Sequence, residues 1–497
     1  MLNKRLKAGL VCVVLILGAV FTLASVKHDR KFLDVDEAAW TFNGYFLDLY
    51  ISGDWDVNKW REFDKYAQHP PAAKYLFGAL HHAIGEPIKS MEPRRFWFEN
   101  DLDIIDFKDQ VLKGLYQRVT YRQIMAGRYM AAGFAVISAI LFFVLAMRLS
   151  GTAAALIGYV ILVLHPMFRD IVTVATADSF LLSLCMLSLL LALACGSSFS
   201  NRKARGWMWA AILAAVLGIL FASKLITFAW IIPVALTAAL CAHGRRAVII
   251  SLCAVSCAVL IGFVITYILD PGLHGHPFAQ IIDRIAWRKD RIEIQQIVFS
   301  SQRLTAYFDR FCFLLGHTFY SSRINMVFLV PLFATGIIAP FFKGALRAKS
   351  RERFLTLLLA VFFVGLTFYS LPMAWTRYVT SCLPFVILVG VQGAGLLIDA
   401  TAIWSSLGTR IKAVVLSTLL VVAMASAVIK HDLGPRFCQV PRIPPPEHVF
   451  ISKIFAYSLM HPGKSQEIHK HLYKYFLEQG DSKRAAFQKK QLENMQK

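Results

Sequence analysis

The sequence predicts an all-α protein that crosses a membrane many times. Only 17% of its 497 residues are charged and 57% are hydrophobic, whereas soluble proteins carry roughly 25% charged residues. Apolar runs long enough to cross about 30 Å of hydrocarbon as helices recur along the whole chain. A β-barrel would instead show segments of about ten alternating residues. The net charge of +22 sits largely in short loops between apolar runs, which favours lipid headgroups over nucleic acid as the partner.

About eleven transmembrane helices are predicted. The first, Ala8 to Val26, follows a short basic segment. A cleaved signal peptide is the alternative for this run, but no clear A-x-A cleavage site follows it. The other predicted spans are 128–147, 152–166, 178–195, 207–222, 225–242, 248–268, 324–342, 354–371, 378–397 and 411–429.

The charges of the short loops alternate between the two sides of the membrane. Most Lys and Arg fall on one side, and the short loops of the other side carry only Arg169, Lys224 and Arg377. Because cytoplasmic loops are enriched in positive charge, these three residues and the long loops are predicted to lie outside the cytoplasm.

The predicted organisation is a transmembrane domain over residues 1–430 and a tail over 431–497, with a Pro-rich linker followed by a basic helical pattern. Two long outer loops, 27–123 and 270–323, interrupt the domain. The apolar pieces of the first loop are too short to span, so they are expected to lie as helices in the membrane interface.

Asp36 and Glu37 in the first loop are the candidate catalytic residues. A carboxylate near the membrane surface can take a proton from an acceptor hydroxyl or amine. The structural alternative is a solvated loop acid, or an acid at a helix N-terminus that complements the helix dipole. Adjacent helical residues point about 100° apart, so only one of the two would face a given pocket.

Five basic side chains fall on the same outer side and are candidates to bind a phosphate. Arg does so with a bidentate fork, and His and Lys donate single hydrogen bonds. Each also has a structural alternative, as a turn residue or as a long side chain that extends from apolar surroundings to water. If these basic side chains converge at one depth of the membrane, they indicate a bound anion there. A charged side chain at membrane depth is by default a functional hypothesis. The five residues are His69, Lys74, Arg128, Lys224 and Arg377.

Asp178 and Trp55 are candidates to bind the acceptor or the sugar. Asp178 begins the predicted fourth span in Thr176-Ala177-Asp178-Ser179, where the structural alternative is a helix N-cap. Trp55 ends the motif Gly53-Asp54-Trp55. No metal site is predicted, because the sequence shows no ligand spacing for one, although Asp36 and Asp178 could share a divalent ion.

These motifs resemble the GT-C superfamily of polyprenyl-phosphate-sugar glycosyltransferases, the group with the protein O-mannosyltransferases and the lipid A aminoarabinose transferase. The resemblance covers roughly residues 10–400. It rests on Asp36-Glu37, Gly53-Asp54-Trp55 and His69-Pro70-Pro71-x-x-Lys74, with weaker support from Gly127-Arg128, Thr176-Ala177-Asp178, Ser223-Lys224 and Arg377-Tyr378. The aminoarabinose transferases have Lys-Pro-Pro where this chain has His69-Pro70-Pro71. The extra domain typical of eukaryotic protein mannosyltransferases is not identified in this sequence.

The resemblance implies a membrane glycosyltransferase that inverts the sugar configuration. A sugar on a polyprenyl or dolichyl phosphate would enter from the bilayer and pass to a lipid, glycan or protein acceptor. Asp36 would be the general base and Glu37 would support it. The five basic residues would bind the donor phosphate, and Asp178 and Trp55 the acceptor or sugar. No cofactor is required, and a bacterial inner membrane with an outward-facing site is expected.

A transporter or lipid flippase without transferase activity is the alternative. Transporters often show paired repeats and charges near the bilayer midplane, whereas here the charges cluster at one face and no repeat is visible.

Overall fold

The chain folds as a bundle of apolar helices. The computed structural model describes residues 4–28, 40–41, 43–56, 60, 70–88, 120–172, 174–201, 203–286, 304, 306–322, 325–341, 350–371, 379–404, 465–478, 480, 485–486, 489 and 492–493. Within these residues all regular structure is helical, which confirms the predicted all-α class.

The helices follow the predicted spans closely. The first half of the chain forms α1 (Lys4–Ala24), α2 (Tyr45–Ile51), α3 (Ala72–Ala83), α4 (Tyr121–Ser150), α5 (Thr152–Leu164), α6 (Pro166–Val172), α7 (Asp178–Asn201) and α8 (Lys203–Phe221). A 3-10 helix (Leu225–Trp230) leads into α9 (Ile231–Cys241), and then come α10 (Arg245–Leu269), α11 (Tyr307–Phe319), α12 (Val330–Ile338, after a π-helical turn Asn325–Leu329), α13 (Ser350–Ser370), α14 (Leu383–Trp404) and α15 (Ser465–Glu478). Shorter 3-10 turns cover Pro271–Leu273 and Ala339–Phe341.

The protein is an integral, multi-pass membrane protein. Among the described residues, five helices are long and apolar enough to cross a membrane, and five shorter apolar helices accompany them. Together they occupy ten of the eleven predicted spans, and the remaining one, 411–429, lies outside the described residues. The short helices α2 and α3 lie where the first loop was expected to hold interfacial helices.

Helix α4 begins seven residues earlier than predicted. The Thr120 hydroxyl accepts a hydrogen bond from the Gln123 N–H (3.1 Å), and the Gln123 side chain accepts one from the Thr120 N–H (2.9 Å). This reciprocal pair is a capping box, which satisfies two backbone donors that the helix start leaves without partners. Arg128 therefore lies two turns inside the helix instead of at its start.

In the main apolar cluster of the core, α4 packs on α5 and α7, α8 packs on α7 and α10, and α12 packs on α14. Helices in membranes approach closely where small residues line the contact. At the α12–α14 crossing, a Cβ at Gly336 would meet the Val389 carbonyl, and a Cβ at Gly393 would meet the Leu332 carbonyl.

We expect Gly393→Ala to destabilise the protein by about 1–3 kcal/mol, because backbone atoms cannot yield to the added methyl group. Gly365→Ala in α13 is the matched control, since its Cβ would meet nothing within 4 Å. Thermal unfolding in detergent should show a lower midpoint for the first variant only. Equal midpoints would contradict the close packing of α12 on α14.

Candidate functional site

An ion pair joins the start of α7 to the turn that follows α8. Asp178 is the first residue of α7, and Lys224 follows the end of α8. The Lys224 Nζ lies 3.0 Å from the Asp178 Oδ1, and the two side chains are 29% and 30% exposed. An acid in the first turn of a helix also complements the helix dipole. The structure thus brings together two of the sequence-predicted site residues, from turns 46 positions apart.

Helix α3 attaches the first loop to the same place. The Ala72 N–H donates to the Ala222 carbonyl at 2.8 Å, two residues before Lys224. The prolines before Ala72 lack N–H groups and fix the direction from which the chain enters the helix. His69 precedes these prolines and lies outside the described residues. The His-Pro-Pro motif therefore ends on the backbone of the turn that carries Lys224.

Lys74 is held between the two loop helices. Only 1% of it is exposed, and its Nζ lies 4.2 Å from the centroid of the Phe46 ring. An ammonium over an aromatic face is attracted by the negative face of the ring, more strongly when water is excluded. Lys74 therefore helps to hold α3 against α2. Its predicted role toward a phosphate stays a prediction.

Arg128 is completely buried. Its Nη1 donates to the Lys27 carbonyl at 2.8 Å, and the neighbouring Tyr129 hydroxyl lies 3.1 Å from the His28 Nε2. Long side chains that reach from the membrane to water keep their charged ends exposed, so the structure does not support that alternative for Arg128. The guanidinium instead fixes the chain at the start of the first outer loop.

Gly127 places α4 against α3 and the turn before α7. A Cβ at Gly127 would lie 2.9 Å from the Ala175 Cβ and 3.4 Å from the Phe77 ring. Ala175 is three residues before Asp178, so Arg128 and the ion pair belong to one neighbourhood. Among the predicted site residues, the structure thus gathers Lys74, Arg128, Asp178 and Lys224 around α3, the first turns of α4 and α7 and the end of α8.

The loop segment with the two candidate carboxylates is attached at both described ends. Lys27 and His28 contact α4, as described above. At the other end the Trp40 ring stacks on Phe77 of α3, with centroids 6.0 Å apart. Asp36 and Glu37 lie outside the described residues, and so does Arg377.

Helix α10 ends on side chains from distant parts of the chain. The last carbonyls of a helix have no partner within the helix. Here three consecutive carbonyls accept hydrogen bonds: that of Leu269 from the Tyr75 hydroxyl (2.8 Å), that of Ile268 from the Tyr50 hydroxyl (3.4 Å) and that of Tyr267 from the His274 Nε2 (3.0 Å). Sequence analysis missed Tyr75, because no local pattern reveals a cap supplied from 194 residues away. It also missed His274, which caps the Tyr267 carbonyl from seven residues further along the chain.

Trp55 lies beside this cap. Its ring meets Tyr50 edge-on at 5.5 Å and His274 at 5.4 Å between centroids, and the residue is 45% exposed. Burial, with the Asp270 charge nearby, raises the pKa of the Tyr75 phenol, so that the hydroxyl stays protonated and donates to the helix end.

His81 lies buried at the crossing of α2 and α3. The backbones touch there, since a Cβ at Gly78 would meet the Gly44 carbonyl. Neither ring nitrogen of His81 has a hydrogen-bond partner. Desolvation lowers the pKa of His81 to about 4, so the ring is neutral at physiological pH.

The described residues contain no group of three or more His, Cys, Asp and Glu side chains that could hold a metal ion. Asp36, the carboxylate considered with Asp178 for a shared ion, is not among them.

No protein-family model matches the sequence, and no curated protein matches it. The chain is similar to two crystal structures of ArnT from Cupriavidus metallidurans. The apo structure has a TM-score of 0.48 at 15% sequence identity and covers 95% of this chain and 72% of its own. The structure bound to undecaprenyl phosphate has a TM-score of 0.46 at 15% identity, and covers 94% and 80%.

Proposed function

We propose that this protein is a membrane glycosyltransferase that moves a sugar from a polyprenyl phosphate carrier to an acceptor outside the cytoplasm. The observation that carries the proposal is the half-buried Lys224–Asp178 ion pair at the outer ends of two membrane helices, beside Arg128. A flexible surface pair would contribute little. A pair held where lipid meets water presents a positive group at the depth of a lipid phosphate.

Lys224 is the phosphate-binding group in this proposal, and Asp178 positions it. An ammonium has three N–H donors, and Asp178 accepts from it at 3.0 Å, which sets the direction of the other two. Arg128, His69, Arg377 and Lys74 are proposed to add positive charge on the phosphate side. Asp178 and Trp55 are also proposed to contact the acceptor or the sugar.

Asp36 is proposed as the general base, with Glu37 as its support. These residues come four and three positions before Trp40, whose ring packs on Phe77. Trp40 thus attaches the chain just after these two residues to α3, whose first residue contacts the turn of Lys224.

The reaction follows from these roles. The Asp36 carboxylate takes the proton of the acceptor nucleophile, which attacks the anomeric carbon from the side opposite the phosphate. The new bond to the anomeric carbon forms as the bond to the phosphate oxygen breaks, and the configuration inverts. The electron pair stays on the departing polyprenyl phosphate, where Lys224 and the other basic groups stabilise the negative charge.

The finer assignments are proposals as well. The acceptor is a lipid, a glycan or a protein, and the site faces the periplasm of a bacterial inner membrane. The alternative function, a transporter or flippase, predicts movement of a substrate without any change in its covalent bonds. Proteoliposomes given a radiolabelled lipid-phosphate sugar separate the two, because only a transferase yields free polyprenyl phosphate and a labelled acceptor.

Asp36→Asn is expected to abolish sugar transfer, by at least about 100-fold, because the amide cannot accept the acceptor proton. The assay is release of polyprenyl phosphate by purified protein in lipid nanodiscs. Glu37→Gln is the matched neighbour and should retain more activity. Turnover by Asp36→Asn at the rate of the unmodified protein would remove the base assignment.

A further inference from the structure

Five aromatic side chains form a continuous row on the outer side of the protein. Neighbouring ring centroids lie 4.8–5.5 Å apart, within the range of favourable aromatic contacts. The row comes from α2, α3, α10 and the segments that follow α2 and α10. Its members, in order, are Tyr75, Tyr50, Trp55, His274 and Tyr267.

The row starts next to the candidate site. Tyr75 lies one helical turn after Ala72, the residue whose N–H binds the Ala222 carbonyl. A turn of helix advances about 5 Å. The row therefore leads away from the turn of Lys224 toward the exposed rings of Trp55 and Tyr267.

The rings of the row are held in place. The hydroxyls of Tyr75 and Tyr50 and the Nε2 of His274 are bound to the last carbonyls of α10. A binding surface whose side chains are already fixed loses little entropy when a ligand is bound. The row is thus preorganised, and Trp55 remains 45% exposed.

The chemistry around Trp55 favours a sugar over a lipid tail. A pyranose ring has a face of C–H groups and a rim of hydroxyls, which matches the negative face and the N–H of an indole. Aromatic residues that anchor a protein in a membrane are accompanied by Lys and Arg, which attract anionic headgroups. Trp55 is instead flanked by Asp54 and Asp56, whose carboxylates accept hydrogen bonds from hydroxyls and repel anionic headgroups.

We propose that this aromatic row is a binding subsite for a pyranose ring, stacked on the exposed face of Trp55. The inference rests on the proposed transferase function and adds a saccharide-binding surface beside the reacting groups. The ring belongs either to a glycan acceptor or to the sugar of the donor, and the two sources share the same chemistry.

Saccharide binding can be measured without any transfer reaction. Saturation-transfer NMR on the full chain in nanodiscs would use the methyl glycosides of mannose, glucose and N-acetylglucosamine. We expect signal from at least one glycoside, a loss of about tenfold in affinity for Trp55→Ala, and a smaller loss for Trp55→Phe. Trp207→Ala is the matched control, since Trp207 is 48% exposed and meets Phe199 edge-on at the start of α8, which is predicted to be its cytoplasmic end.

Two results would overturn the subsite. One is the absence of binding to any of the three glycosides. The other is equal binding by Trp55→Ala and the unmodified protein, which would make Trp55 a membrane anchor only. If the glycosides bind but no lipid-phosphate sugar is transferred, the proposed function fails while the subsite stands.

The source of the ring follows from kinetics. If the bound ring belongs to a glycan acceptor, Trp55→Ala is expected to raise the KM for the acceptor by about tenfold and to leave the KM for the donor unchanged. If the ring is the sugar of the donor, the KM for the donor should rise and the KM for the acceptor should stay unchanged. Unchanged values of both would remove the row from the reaction.

Discussion

Replacing Lys224 by glutamine is expected to lower the rate of sugar transfer by about 100- to 1000-fold. Glutamine keeps a hydrogen-bond donor, on a side chain one atom shorter, but removes the charge that faces the departing phosphate. Groups that stabilise charge in the transition state commonly contribute this much. The measurement is release of polyprenyl phosphate in nanodiscs at saturating donor. Lys224→Arg should retain part of the activity, because it keeps the charge but not the compact geometry of the ammonium.

Arg169→Gln is the matched control for charge. Arg169 is a basic residue of the same outer side, and its guanidinium lies over the Phe21 ring at 5.3 Å. Neutralising it should leave transfer near the unmodified rate, since its guanidinium contacts the Phe21 ring of α1 and not the ion pair. A similar loss in both variants would mean that overall charge, and not the position of Lys224, determines the rate.

A double variant separates catalysis from folding. Lys224→Gln leaves the half-buried Asp178 carboxylate without its ion-pair partner, so it should also reduce stability. Replacing both members of an ion pair by neutral groups often costs far less than replacing one. We therefore expect Asp178→Asn combined with Lys224→Gln to recover thermal stability but not transfer. Recovery of both would make the pair structural only.

Acid is expected to destabilise the protein between about pH 6.5 and pH 4. Burial lowers the pKa of His81 to about 4, against about 6.5 in an unfolded chain. In this window the unfolded state binds a proton at this residue that the folded state does not. The free energy of unfolding therefore falls as the pH falls, by up to about 3 kcal/mol.

The surroundings of His81 explain why its ring resists protonation. Neither ring nitrogen has a hydrogen-bond partner. The ring faces the α2–α3 crossing, where Glu86 and Asp48 favour the charged form but burial outweighs them.

Thermal unfolding as a function of pH tests this account. His81→Met should reduce the loss of stability at low pH by the share of this histidine. His82→Ala is the control, because His82 is exposed and its Nε2 lies 2.5 Å from the Asp48 Oδ1. An unchanged pH profile for His81→Met would show that protonation of His81 does not limit stability.

The fold was predictable because a membrane-spanning helix is recognised from the length of its apolar run alone. Hydrophobic length alone located ten described helices, and the alternation of charge placed Asp178 and Lys224 on the same side. The same rule misplaced the start of α4, because the capping box at Thr120 lies in a polar stretch before the apolar run. Span length says nothing about helix caps, which depend on single side chains.

The site was predictable as a group of residues but not as a geometry. The motifs named Lys74, Arg128, Asp178 and Lys224, yet only the structure pairs Lys224 with Asp178 and turns Arg128 toward the Lys27 carbonyl. The aromatic row depended on contacts across about 200 residues, which local periodicity cannot reveal. His81 was missed because a buried neutral histidine has no sequence signature.

The cap on α10 has a consequence for synthesis. Tyr75 binds a carbonyl that is 194 residues further along the chain, and translation proceeds at about 5–20 residues per second. The first loop is therefore made about 10 to 40 seconds before the carbonyl that Tyr75 binds. During that interval α2 and α3 lack the helix end that holds them in the folded protein.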